Sequence, residues 1–138
     1  MKHDLLIRAG ELPWVELGDG ASAQYLRNCE ITGQWVQILR LNAGASLPSH
    51  YHFGAGEFIV LKGELHYAAG IAKSGDYGYE PLGAVHEKTY APVDTELFYV
   101  GYGPLAALGA DGKFTGVMID GLPPAESAVT CPPLKKAG

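Results

Sequence analysis

The chain has 138 residues, enough for one ordinary domain with a buried core and cramped for two. With 47% hydrophobic and 18% charged residues it has the composition of an ordered globular protein. A net charge of −5, with Lys135 and Lys136 as the only adjacent basic pair, leaves nothing to neutralise a run of phosphates, so nucleic acid is excluded as an expected partner.

At the N-terminus the apolar run Leu5–Ile7 is too short for a signal-peptide core, and no stretch approaches membrane-spanning length, so a cytoplasmic protein without membrane contact is expected. Cys29 and Cys131 are a hundred residues apart and outside any Cys/His cluster, which argues for idle thiols rather than a disulfide framework or thiolate zinc site.

In chain order, short apolar or alternating runs fall at residues 23–27, 35–41, 57–61, 64–68, 76–80, 95–102 and 114–119. Each is bounded by Gly, Pro, Asn or Asp, the pattern of an all-β sandwich or barrel of short antiparallel strands. Residues 103–113, with their glycines and Asp111-Gly112, read as a long hairpin loop. The domain is expected over residues 1–121, followed by a Pro-rich tail, 122–138, lying extended on the barrel wall or on a neighbouring subunit.

The chemistry concentrates around His50, Tyr51 and His52. At i and i+2 on a strand, the two imidazoles point to one face and can reach one metal. Glu57 has the wrong parity for an uninterrupted strand, but Gly54 and Gly56 allow the chain to turn and restart, bringing Glu57, Ile59 and Leu61 to the inward face. Farther on, Pro81 and Gly83 mark a turn that would swing His86 back toward the pair. Three imidazoles and a carboxylate suit a divalent transition metal, Fe(II), Zn(II), Ni(II) or Mn(II) among them, and leave two adjacent octahedral positions for ligands.

These residues resemble the two cupin motifs. Gly44, His50, His52, Glu57 and Gly63 follow the first, with the closing glycine one place early; Gly75, Pro81, Gly83 and His86 follow the second, with Tyr90 where Asn is usual. The resemblance spans about residues 10–121 and is strongest to the small single-domain cupins that include acetylacetone-cleaving dioxygenase and 2,4'-dihydroxyacetophenone dioxygenase. It implies a cupin antiparallel β-barrel, or jelly roll, with His50, His52 and His86 as ligands of Fe(II). It further implies O2-dependent cleavage of a C–C bond next to carbonyls in a small β-dicarbonyl or hydroxy-ketone. In this reading Glu57 either ligates or hydrogen-bonds to a bound water.

Other residues carry two readings each. Glu80 is either a catalytic base or imidazole-orienting acid, or a solvent-facing strand end; Lys88 is a rim lysine or an enolate stabiliser. Trp35, Tyr25, Tyr67, Phe98 and Tyr102 are ordinary core with one or two lining a pocket, and Gln37 is either a substrate contact or solvent-facing. His66 with Glu64 reads as an exposed pair, and His3 lies outside the motifs. The rival functions are a non-catalytic metal or small-molecule sensor, and a metal-dependent isomerase or lyase acting on an oxo-acid. Edge strands left by a small barrel favour a homodimer or higher homo-oligomer.

Overall fold

The computed structural model describes residues 4–86 and 88–120, and the backbone of 129–131. His3 and the rest of the 122–138 tail lie outside the described residues. After a short 3-10 turn, Ala9–Glu11, the described chain is built of strands. In order they are β1 (Val15–Gly18), β2 (Ala21–Cys29), β3 (Trp35–Leu41), β4 (Ser46–Leu47), β5 (His50–His52), β6 (Gly56–Lys62), β7 (Glu64–Tyr67) and β8 (Gly70–Lys73). Then follow β9 (Tyr77–Glu80), β10 (Val85–His86), β11 (Thr89–Tyr90), β12 (Thr95–Gly101), β13 (Leu105–Leu108), β14 (Phe114–Ile119) and β15 (Val129–Cys131).

All seven apolar runs form strands, and the expected all-β architecture is present. One large sheet runs β1-β2-β3-β12-β6-β9, with β15 added in parallel beside β2. Two smaller antiparallel sheets, β10-β5-β13-β14 and β4-β11-β7-β8, supply the opposite side of the core. The ladder β15·β2 places Cys131 in register with Cys29, so the two thiol-bearing residues far apart in sequence are neighbours in the sheet.

Alternation decides what enters the core. In β3 the buried residues are Trp35, Gln37, Leu39 and Leu41; in β12 they are Thr95, Leu97, Tyr99 and Gly101. The antiparallel register sets Trp35 beside Gly101 and Gln37 beside Tyr99, so each large side chain lies against a matched neighbour. Phe58 and Val60 of β6, each 1% exposed, and Leu65 of β7 complete the centre of the core. Burying side chains of this size stabilises the fold by about 1.5–3 kcal/mol each.

Residues 103–113 depart from the expected long loop. Leu105 and Ala106 are buried, and β13 pairs with β5 on one side and β14 on the other, leaving only Gly109–Lys113 as the hairpin connection. Tertiary pairing with β5 overrides the local glycine signal there.

The N-terminal segment closes one outer flank of the large sheet. Gln24 donates its amide to the carbonyls of Ala9 and Leu12, and the Arg40 guanidinium stacks 3.6 Å from the Trp14 ring while pairing with Glu96. Among the described residues no helix is long and apolar enough to cross a membrane.

Candidate metal centre

β5 is an inner strand of its four-stranded sheet, and this position assembles the imidazoles. His86 of β10 stands directly across the ladder from His50, and the β5 backbone is tied to the preceding turn by His52 N–H to Ala84 O and Gly83 N–H to His52 O. That turn passes through Gly83 at φ 81°, a left-handed conformation that costs glycine little and an L side chain much more. His50, His52 and His86 are buried, with ring centroids 5.0 Å, 5.3 Å and 4.8 Å apart.

The hydrogen bonds at the outer nitrogens define which ring atoms face inward. His50 Nδ1 donates to Pro48 O at 2.9 Å and His52 Nδ1 to Gly54 O at 3.1 Å. A carbonyl only accepts, so both Nδ1 atoms carry hydrogen, and each Nε2 is left to offer a lone pair or take a second proton.

Glu80 completes the cluster. Its Oε2 lies 2.5 Å from His52 Nε2, 3.6 Å from His86 Nε2 and 4.0 Å from His50 Nε2. Ligand atoms of His50, His52 and Glu80 all fall within 4.8 Å of one another. Burial pushes the Glu80 carboxyl up, but the contacts with His50 and His52 and the proximity of His86 outweigh it and hold it down to about 2. Burial lowers His86, and the Glu80 charge partly offsets this. His86 Nε2 is buried without a hydrogen-bond partner. Three imidazole nitrogens converging on a carboxylate need a positive charge among them, and a divalent cation held by N and O donors fits that set.

Glu57 is elsewhere. The inward residues of β6 are Gly56, Phe58 and Val60, so Glu57, Ile59 and Leu61 face outward, the reverse of the expected parity. Its carboxylate accepts from Tyr77 Oη at 2.6 Å and from Tyr102 Oη on the outer surface. The inward position beside it belongs to Gly56, which is in register with Glu80, so Glu80 takes the place anticipated for Glu57. The run "EFIVL" is apolar on both faces and does not declare its own parity.

Glu80 also meets Tyr99, which sequence reasoning missed by choosing its neighbours Phe98 and Tyr102. Tyr99 Oη is buried, and burial, then the charge of Glu80 and the hydrogen bond to it, raise its pKa well above the phenol range. Glu96 shares a face with Phe98 and Tyr102, and that charge was the available sign that Tyr99, not they, points inward. A Cβ at position 56 would collide with Tyr99 Oη, so only glycine there admits the phenol.

Beside the cluster is a cavity of about 340 Å3, lined by Trp35, Gln37, Leu97, Tyr99, Thr89 and other residues, with His50 and Glu80 in its wall. Of the expected aromatics, Trp35 lines it; Tyr67 stacks near His86 instead, Tyr25 is buried core and Tyr102 is exposed. Lys88 lines a separate outer groove with Tyr51, Phe53 and Phe114. His66 and Glu64 form the expected pair at 2.7 Å, away from the centre.

A β-barrel with converging histidines from two adjacent strands defines the molecule as a cupin. The ChrR cupin-like domain family matches residues 2–106, and the chain belongs to it. Over 100 residues it is 34% identical to the acetylacetone-cleaving enzyme of Acinetobacter johnsonii, an alignment covering 68% of this chain and 65% of that enzyme, just under two thirds of its length. The crystal structure of an acetylacetone dioxygenase from the same organism superposes with a TM-score of 0.75 at 28% identity, covering 86% of this chain and 85% of that one. A protein of unknown function with a cupin-like fold from Ralstonia eutropha gives 0.83 at 18% identity, over 100% of this chain and 98% of the other. The last likeness concerns the fold alone.

Proposed function

We propose that the chain is a metal-dependent dioxygenase that cleaves a C–C bond next to carbonyls in a small, uncharged β-dicarbonyl or hydroxy-ketone, with Fe(II) held by His50, His52 and His86 and with Glu80 in or beside the ligand set. The observation that carries this reading is the buried convergence of three imidazole nitrogens on the Glu80 carboxylate, with His50 and Glu80 in the wall of a small cavity. The 34% identity to an acetylacetone-cleaving enzyme supports the reaction class. When bound, iron would supply the Lewis acidity that eases enolisation and the redox capacity that O2 chemistry requires.

The chain's own residues do the rest. Pro48 O and Gly54 O orient His50 and His52 through their Nδ1–H groups, which keeps each Nε2 directed at the centre. Glu80 is the carboxylate placed to accept a proton from the carbon between two carbonyls, and its negative charge repels anionic substrates. Among the described residues no Lys or Arg lines the cavity, so an oxo-acid would find no side-chain counter-charge there. That weighs against the isomerase or lyase reading. Leu39, Leu65, Leu97 and Leu105 give the cavity an apolar lining beside the polar groups.

We place the protein in the cytoplasm as a homodimer or higher homo-oligomer. The exposed side chains of Ile59, Tyr77 and Tyr79 on the outer face at the β9 edge support assembly. Light scattering at micromolar protein is expected to give a multiple of the chain mass.

The function is tested by metal analysis and oxygen uptake on the same preparations. Wild type is expected to hold close to one metal per chain, His86→Ala to lose it, and the Fe(II)-loaded wild type to consume O2 only when acetylacetone is added. Metal without O2 uptake across a panel of uncharged diketones and hydroxy-ketones would replace the dioxygenase with a sensor or binding module. Absence of metal after reconstitution would remove the centre itself.

A further inference from the structure

The cavity contains more polar machinery than a bare hydrocarbon diketone would use. Gln37 and Thr89 both line it, are 8% and 5% exposed, and make no side-chain hydrogen bond among the described residues. They come from opposite layers of the barrel, Gln37 from β3 in the large sheet and Thr89 from β11 in a small one. With no protein partner among the described residues, the Gln37 amide and the Thr89 hydroxyl are open to the cavity, so a molecule bound there can take the hydrogen bonds that water otherwise makes with them.

Their place relative to the centre is set by the sheet. Gln37 is directly across from Tyr99 in the β3·β12 ladder, and Tyr99 reaches over Gly56 toward Glu80. The large-sheet wall thus presents, in order, Glu80, the Tyr99 phenol and the Gln37 amide. A dicarbonyl head against the histidines would leave its substituent pointing along that wall.

Chemistry narrows the substituent. The Gln37 amide both donates and accepts, as does the Thr89 hydroxyl, and among the described residues no Lys or Arg lines the cavity. A carboxylate or phosphate would be repelled by Glu80 and left without a counter-charge, whereas a hydroxyl or a further carbonyl satisfies both residues. A volume of about 340 Å3 is near the low end of ligand cavities, about 300–1,000 Å3, which keeps the molecule small.

We propose that Gln37 and Thr89 form a recognition pair for a second uncharged polar group, a hydroxyl or carbonyl, carried on the substrate beyond the unit that faces the histidines. The proposal rests on the dicarbonyl reading above and names the substrate class within it: functionalised ketones in preference to purely hydrocarbon diketones.

Two probes test it: a linear β-diketone ending in a hydroxymethyl group, and its isostere ending in methyl. Anaerobic binding to the Fe(II)-loaded protein is measured by calorimetry, and O2 uptake gives KM and kcat separately. Wild type is expected to bind the hydroxyl probe roughly tenfold more tightly, the scale of one good neutral hydrogen bond. In Gln37→Leu that preference disappears, chiefly through KM, while the methyl probe binds as well or better. Gln37→Asn, which keeps the amide on a shorter stem, retains part of it, and metal content with circular dichroism verifies that both variants are folded and loaded. Equal affinities in wild type, or a preference unchanged in Gln37→Leu, would overturn the recognition pair and leave the dioxygenase standing. If neither probe binds the loaded protein, the dicarbonyl reading falls and the recognition pair falls with it.

Discussion

Two glutamates that look interchangeable in the sequence have opposite environments. Glu80 is buried against three imidazoles, whereas Glu57 lies outside and is held by two phenols. Glu80→Gln is therefore expected to weaken metal retention by about 10–100-fold in a chelator competition, the usual effect of disturbing a metal site's immediate support. Glu57→Gln should leave retention unchanged. The outer carboxylate has a different signature. Hydrogen bonds from Tyr102 and Tyr77 lower the Glu57 pKa in the folded state, so its contribution to stability is complete above the ordinary carboxylate value, about 4.3, and is lost as pH falls through the folded one. A Tm difference between wild type and Glu57→Gln is expected at pH 6 and should close as the pH falls through the lowered folded-state titration of Glu57.

At the scale of elements, the pairing of β6 with β9 and β12 brings the Glu80 carboxylate and the Tyr99 phenol together over a glycine. Gly56 faces Glu80 on one side and Gly101 on the other, and Tyr99 Oη occupies the space a side chain at 56 would need. Gly56→Ala is expected to destabilise by about 1–3 kcal/mol, the ordinary cost of overpacking. Adding Tyr99→Phe should restore much of that loss, because the clashing oxygen is removed. Urea unfolding of the two single variants and the double variant measures the coupling. The same ladder explains why β13 escaped a local reading: Leu105 and Ala106 are a strand because β5 offers them a partner, not because the surrounding glycines favour extension.

For the molecule as a whole, one core spans the large sheet and the two small ones, and Phe58 sits at its centre with 1% exposure. Phe58→Ala should cost about 3–5 kcal/mol against a typical total of about 5–15, so its denaturation midpoint is expected to fall steeply with an unchanged slope. Seven of the strands, the fold class and the histidine trio could be read directly from residue order. Turn glycines, period-2 alternation and the HxH spacing are local, and local chemistry is enough to specify them. Parity in the doubly apolar run "EFIVL" could not be read that way: it has greasy residues on both faces, and one residue of slip exchanges inside for outside. Tertiary structure decided it, because Phe58 and Val60 fill the core while Tyr77 and Tyr102 hold Glu57 outside. The sequence by itself thus determined a β-barrel carrying three converging histidines, and only packing across the layers decided that Glu80, not Glu57, is the carboxylate beside them.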